Sequence, residues 1–159
     1  METTNTVLGK ISQFKERSAH WRKAHFHCAR HYQRCDIALG LLLVLFSTII
    51  LAFAFYSIDR THVSLWAQIA LATTAVLLGL VSATQLYYHP SSLSDSHRDS
   101  AVGFGEMHRR WEFLETMCLK NPNLVTEQHI QQALDMDNVL AGKSRPVPGH
   151  VLRRFGLPA

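Results

Sequence analysis

Two apolar runs that contain no charged residue, and stand four residues apart, constrain this chain more than anything else in it. Residues 37–58 read IALGLLLVLFSTIILAFAFYSI, and residues 63–88 read VSLWAQIALATTAVLLGLVSATQLYY. At about 1.5 Å of rise per residue the first run reaches roughly 33 Å as a helix, enough to cross a hydrocarbon core of about 30 Å. The second is longer and must tilt or protrude. Tyr56, Trp66, Tyr87 and Tyr88 fall near the run ends, where interfacial aromatics belong. Only Asp59, Arg60, Thr61 and His62 separate the runs, so the two helices must turn straight back on one another. A buried hairpin in a soluble fold is the competing reading. Charge-free runs of this length rarely occur there.

The flanks set the expected orientation. Lys10, Lys15, Arg17, Arg22, Lys23, Arg30 and Arg34 precede the first run, and the turn holds only Arg60. After the second run come Arg98, Arg109, Arg110, Lys120, Lys143, Arg145, Arg153 and Arg154. Excess Lys and Arg mark the cytoplasmic side, so both termini are expected in the cytoplasm. The first run is too long, and too far along the chain, for a cleaved signal peptide. The net charge of +4 is what basic membrane flanks require, and it does not call for nucleic acid as a direct partner. Three cysteines, Cys28, Cys35 and Cys118, form no disulfide framework and read as reduced thiols on helix faces.

The expected fold is an all-α membrane protein: a two-helix transmembrane hairpin with a cytoplasmic helical bundle, assembled as a homo-oligomer. Residues 1–36 form an N-terminal cytoplasmic helix, 37–58 the first span, 59–62 an extracytoplasmic turn and 63–88 the second span. Residues 89–142 hold further cytoplasmic helices, and 143–159 a Pro-containing tail. Ile11, Phe14, Ser18, Trp21, His25, Cys28, Tyr32 and Cys35 recur at spacings of three and four, a seam opposite a basic face. This helix is expected to continue into the first span. His89-Pro90-Ser91-Ser92 is expected to stop the second span and open a Ser- and Asp-rich linker. A helix over about 98–119 would follow, with Phe104, Met107, Trp111, Leu114 and Cys118 as its seam and Gly103 and Gly105 weakening its first half. After the turn Asn121-Pro122-Asn123, Thr126 would cap a third helix with Ile130, Ala133, Leu134 and Leu140 on its apolar side and Gly142 at its C-cap. The tail from Lys143 is expected to be extended. The two seams are expected to pack on each other and to drive assembly.

Few residues invite chemistry. His25, His27, Cys28, His31 and Cys35 share one helix, but from 25 to 35 that helix climbs about 15 Å, so one metal ion cannot collect them. Cys28 with His31, or His31 with Cys35, would need ligands from elsewhere, and no metal site is expected. Glu106, Glu112 and Glu115 read as surface acids paired locally with Arg109 and Arg110. No nucleophile elbow, phosphate-binding Gly loop or metalloprotease helix motif occurs. Neither an enzyme nor a cofactor is expected. Within the second run Gln68, Ala72, Ala75, Gly79 and Ser82 lie on one stripe with Ala83 beside them, and Ala75, Gly79 and Ala83 form a small-xxx-small pattern. The stripe either packs within the hairpin or lines a path between subunits. Gln68 and Gln85 are the best polar candidates for such a path, with Ser47, Thr48, Thr73 and Thr74 weaker. Neither run contains an ionisable side chain that could relay protons, and two spans cannot enclose a pore alone.

The layout resembles the SLATT proteins, two-transmembrane effectors associated with nucleotidyltransferases and nucleotide-sensing proteins in prokaryotic conflict systems. The matching features, in order, are the basic helix ending CARHYQRCDIALGLLLVL, the short turn at 59–62, the second span, the segment SDSHRDSAVGFGEMHRRWEFLE and the late SRPVPGHV. The spacing of His108, Trp111 and Leu114 resembles the family's helix after the second span. The resemblance implies an oligomeric pore former in the prokaryotic inner membrane, active in antiviral defence. It implies as partners the lipid bilayer, further copies of the chain, and a nucleotide second messenger or a separate sensor protein. A two-span membrane adaptor that recruits a cytoplasmic partner and a holin-like protein are the alternatives.

Overall fold

The computed structural model describes residues 2–58, 64–121 and 124–158, apart from the side chains of residues 2–6 and 58. Five helices follow in order: α1 (Glu2–Ile58), α2 (Leu65–Tyr88), α3 (Pro90–Lys120), α4 (Glu127–Lys143) and α5 (Gly149–Arg154). No strand occurs among the described residues, so the all-α expectation holds. Two stretches are long and apolar enough to cross a membrane, and their apolar windows are not buried inside the protein. The expected turn at 59–62 lies outside the described residues.

The chain divides into two compact units. One comprises His31–Ser92, the other Met1–Arg30 with Leu93–Ala159. In the first, the half-buried positions of α1 include Leu39, Leu43, Phe46, Ile50, Phe53 and Ser57. Those of α2 are Ala67, Leu71, Thr74, Leu78, Val81 and Gln85. Both sets recur every three or four residues, which is the signature of helices packed along a common line. The other faces expose large apolar side chains, among them Leu41, Val44, Phe55, Trp66, Val76 and Leu80. Such a surface is costly in water and natural in lipid. Hydroxyls on these helices turn inward on their own backbone: Thr48 Oγ1 donates to Val44 O, Ser57 Oγ to Phe53 O, Thr73 Oγ1 to Ile69 O and Thr84 Oγ1 to Leu80 O, each at 2.8 Å. That bond removes most of the cost of a hydroxyl in an apolar medium. Ser64 caps α2, its Oγ accepting from Ala67 N at 3.3 Å.

In the other unit α3 departs from expectation. It begins at Pro90, so residues 91–97 are helical where a linker was expected. The break after α2 is the single residue His89, at φ 42° and ψ 56°, whose N–H reaches Gln85 O at 3.1 Å. Proline then opens α3 at the position where its missing N–H costs nothing. Ser94, His97 and Ser100 are buried, because the α3 seam continues backward through them. Their short polar side chains hid that continuation in the sequence.

The core of this unit gathers Ile11, Met107, Trp111, Leu114, Cys118 and Ala133, with Phe14, Ile130, Leu134 and Leu140 packed against it. Gly103 and Gly105 do not interrupt α3. A Cβ at Gly103 would stand 2.7 Å from Leu140 Cδ1, so glycine is there to admit α4. Thr126 sits at the α4 N-cap as expected, and its N–H donates to His129 Nδ1 at 3.3 Å. The C-cap is Ser144, not Gly142, which remains inside the helix. The tail is not extended throughout. It forms α5, and Val147, Val151, Leu152 and Leu157 are buried. Four apolar residues at these spacings drive a short helix onto the core despite the flanking prolines.

Candidate functional site

The two seams meet within one chain. Phe14 stacks on Trp111 with ring centroids 5.2 Å apart, and Trp21 stacks on Phe104 at 5.8 Å. Ile11, Cys28, Phe104, Met107, Trp111 and Leu114 are all buried. The seams are therefore occupied by intrachain packing, and assembly through them would require the chain to open. Tyr32 belongs to the other unit, half-buried and edge-on to His31 at 5.9 Å. Glu115 does not pair with its helix neighbours but with Lys15 of α1, at 2.5 Å. The pair joins α1 to α3.

The stripe on α2 behaves differently. Gln68, Ala72, Ala75, Gly79, Ser82 and Ala83 are exposed, and a Cβ built on Gly79 meets nothing within 4 Å. The inward line of α2 runs one position earlier, through Ala67, Leu71, Thr74, Leu78 and Val81. One residue is about 100° of helix rotation. Packing within the hairpin, the first of the two readings of this stripe, is therefore not what the chain does with it. Of the polar candidates on α2, Gln85 and Thr74 fall on the inward line. Thr73 and Thr74 satisfy their hydroxyls on their own helix.

Sequence reasoning missed one polar feature of the core. His25 and His97 are buried with their Nδ1 atoms 3.0 Å apart, and the His25 ring lies against Trp21 and Phe104. One ring donates and the other accepts, which requires at least one neutral imidazole. Burial, reinforced by His97, pushes His25 down to about 4. Burial and the nearby Arg145 lower His97 as well. His25 Nε2 has no hydrogen-bond partner. The signal existed in part, since His25 stands on the α1 seam, but its partner lay in the stretch expected to be a linker.

No group of three or more His, Cys, Asp or Glu side chains that could hold a metal ion occurs among the described residues. His31 Nε2 and Cys35 Sγ approach to 3.9 Å, a weak sulfur contact. Cys28 is buried, which pushes its thiol up and away from the reactive thiolate. Asp137, also buried, is raised by desolvation, with Arg17 opposing.

Comparison with protein-family models, with curated proteins and with solved structures found no match for this chain.

Proposed function

We propose that this protein is a two-span membrane protein that assembles into a homo-oligomeric pore and acts by permeabilising the membrane, not by catalysis. In this reading α1 from residue 37 and α2 cross a prokaryotic inner membrane, with both termini in the cytoplasm. The observation that carries it is the stripe through Gln68, Ala72, Ala75 and Gly79. Small residues permit close helix approach in lipid, Ala72, Ala75 and Gly79 are exposed, and a Cβ built at Gly79 meets nothing within 4 Å. A second copy is the natural occupant, and a ring of copies would bring Gln68 toward a shared axis. Lys and Arg on the flanks support the orientation.

The resemblance to SLATT effectors supports a role in antiphage defence, in which a signal of infection opens the pore. Because α1 is one helix from Glu2 to Ile58, a rearrangement around Trp21 and Trp111 would be transmitted along it to the first span. Proteoliposomes carrying the purified protein should release a trapped small-ion dye under an activating condition. Protein that stays monomeric and never conducts would overturn the reading.

An adaptor that recruits a partner through its basic cytoplasmic face is the second reading, favoured by the exposed Arg22, Lys23 and Arg30. It differs in predicting no conductance under any condition.

A further inference from the structure

The unit containing Arg30 and Leu93 carries an open groove of about 630 Å³, within the range of small-molecule sites. One wall is a single face of α1, where Arg22, Lys23, Phe26 and Arg30 follow at helical spacing. Phe155, just after α5, closes the other side, and His108 of α3 contributes to the floor. A smaller lobe of about 210 Å³ adjoins it, sharing Arg22 and Phe26 and adding Arg109.

The electrostatics are one-sided. Among the described residues no carboxylate lines either lobe, and neither Arg22, Lys23 nor Arg30 is ion-paired. Cations one and two turns apart on a helix repel and destabilise it slightly. Arg154 adds a further cation, donating from Nη1 to His27 Nε2 at 3.2 Å. One of these cations is also held in place. Arg22 lies against the Phe26 ring, 5.8 Å from its centroid, and beside Gly105, where a Cβ would only just touch its side chain. Lys15 O accepts from His108 Nδ1 at 3.0 Å, which fixes that ring's tautomer. Phe26 and Phe155 supply flat apolar surface beside this positive charge. Fixed cations with planar aromatics recognise an anionic head joined to a flat body.

We propose that this groove binds a soluble phosphate ester with a planar organic part, the phosphate between Arg22, Lys23 and Arg30 and the ring against Phe26 or Phe155. The inference rests on this unit's own geometry and stands or falls separately from the pore, because binding is read without conductance.

The test uses the full chain in detergent micelles, titrated calorimetrically with adenosine monophosphate, inorganic phosphate and adenosine, and separately with phosphatidylglycerol vesicles. Adenosine monophosphate should bind at least about tenfold more tightly than either fragment, a margin of roughly 1.4 kcal/mol. Arg22→Gln with Arg30→Gln should weaken it by about tenfold or more at unchanged melting temperature, since both side chains are exposed. Phe26→Leu should weaken adenosine monophosphate but not inorganic phosphate. Absence of binding at millimolar adenosine monophosphate would overturn the proposal. So would wild-type affinity in the double arginine variant, or binding to the anionic vesicles alone.

Discussion

Replacing Gly79 by leucine separates packing within a chain from packing between chains. In the single chain a Cβ at position 79 meets nothing within 4 Å, and the neighbouring Leu78 carries the contact toward α1. The substitution should therefore cost the isolated hairpin nothing, and the better helix propensity of leucine contributes up to about 1 kcal/mol in its favour. Between chains the sign reverses. A leucine side chain inserted where two helices approach through glycine and alanine overpacks the contact by about 1–3 kcal/mol. That is roughly a 5- to 150-fold loss in association per contact. The assay is size-exclusion chromatography with light scattering on the detergent-solubilised protein, beside a thermal melt of the same sample. The expected result is a shift toward smaller species with the melting temperature of the individual chain unchanged or raised. A lowered melt with an unchanged particle size would refute the reasoning, because it would put Gly79 inside the hairpin.

Other consequences follow from the core. Trp111→Ala removes a fully buried indole and its stack on Phe14, and should destabilise by about 3–5 kcal/mol, roughly 6–20 °C in a near-ultraviolet melt. A loss under about 1 kcal/mol would mean that the stack does not form. His25 titrates near 4 in the fold and near its ordinary 6.5 when unfolded. The unfolded chain therefore binds more protons between these values, so stability is full above about pH 6.5 and falls as the pH drops toward 4. Between pH 7.5 and pH 5 that loss is about 2 kcal/mol from His25 alone, and His97 adds to it in the same direction. A melting temperature that rises over the same descent would contradict the buried pair. Cys35 is half-buried whereas Cys28 and Cys118 are buried, so maleimide followed by peptide mass mapping should label Cys35 first in the native protein.

Much of this architecture was legible because hydropathy and helical period act over long stretches. The runs at 37–58 and 63–88 needed only the absence of charge to be read as helices. Phe14, Trp21, Phe104 and Trp111 were found by spacing, and the structure stacks them in two pairs. What escaped was written in short polar residues. Ser94 and His97 look like linker, yet Ser94 Oγ donates to Ala29 O at 3.0 Å and His97 meets His25, so each finds a polar partner inside the core. The prolines at 146, 148 and 158 pointed to an extended tail, and four apolar neighbours overrode them. The stripe on α2 was visible as a pattern. Which face of the helix the hairpin would use was not, because neighbouring faces of a uniformly apolar helix differ by one residue and carry almost the same hydropathy.

The central claim is that the α2 stripe is an intersubunit surface around a channel. The measurement that tests it most directly is imaging of the detergent-solubilised particle to count its subunits and locate α2. The account predicts a closed ring in which Gln68, Ala75 and Gly79 face neighbouring subunits or the axis. A monomer, or an oligomer in which these residues face lipid, would contradict it.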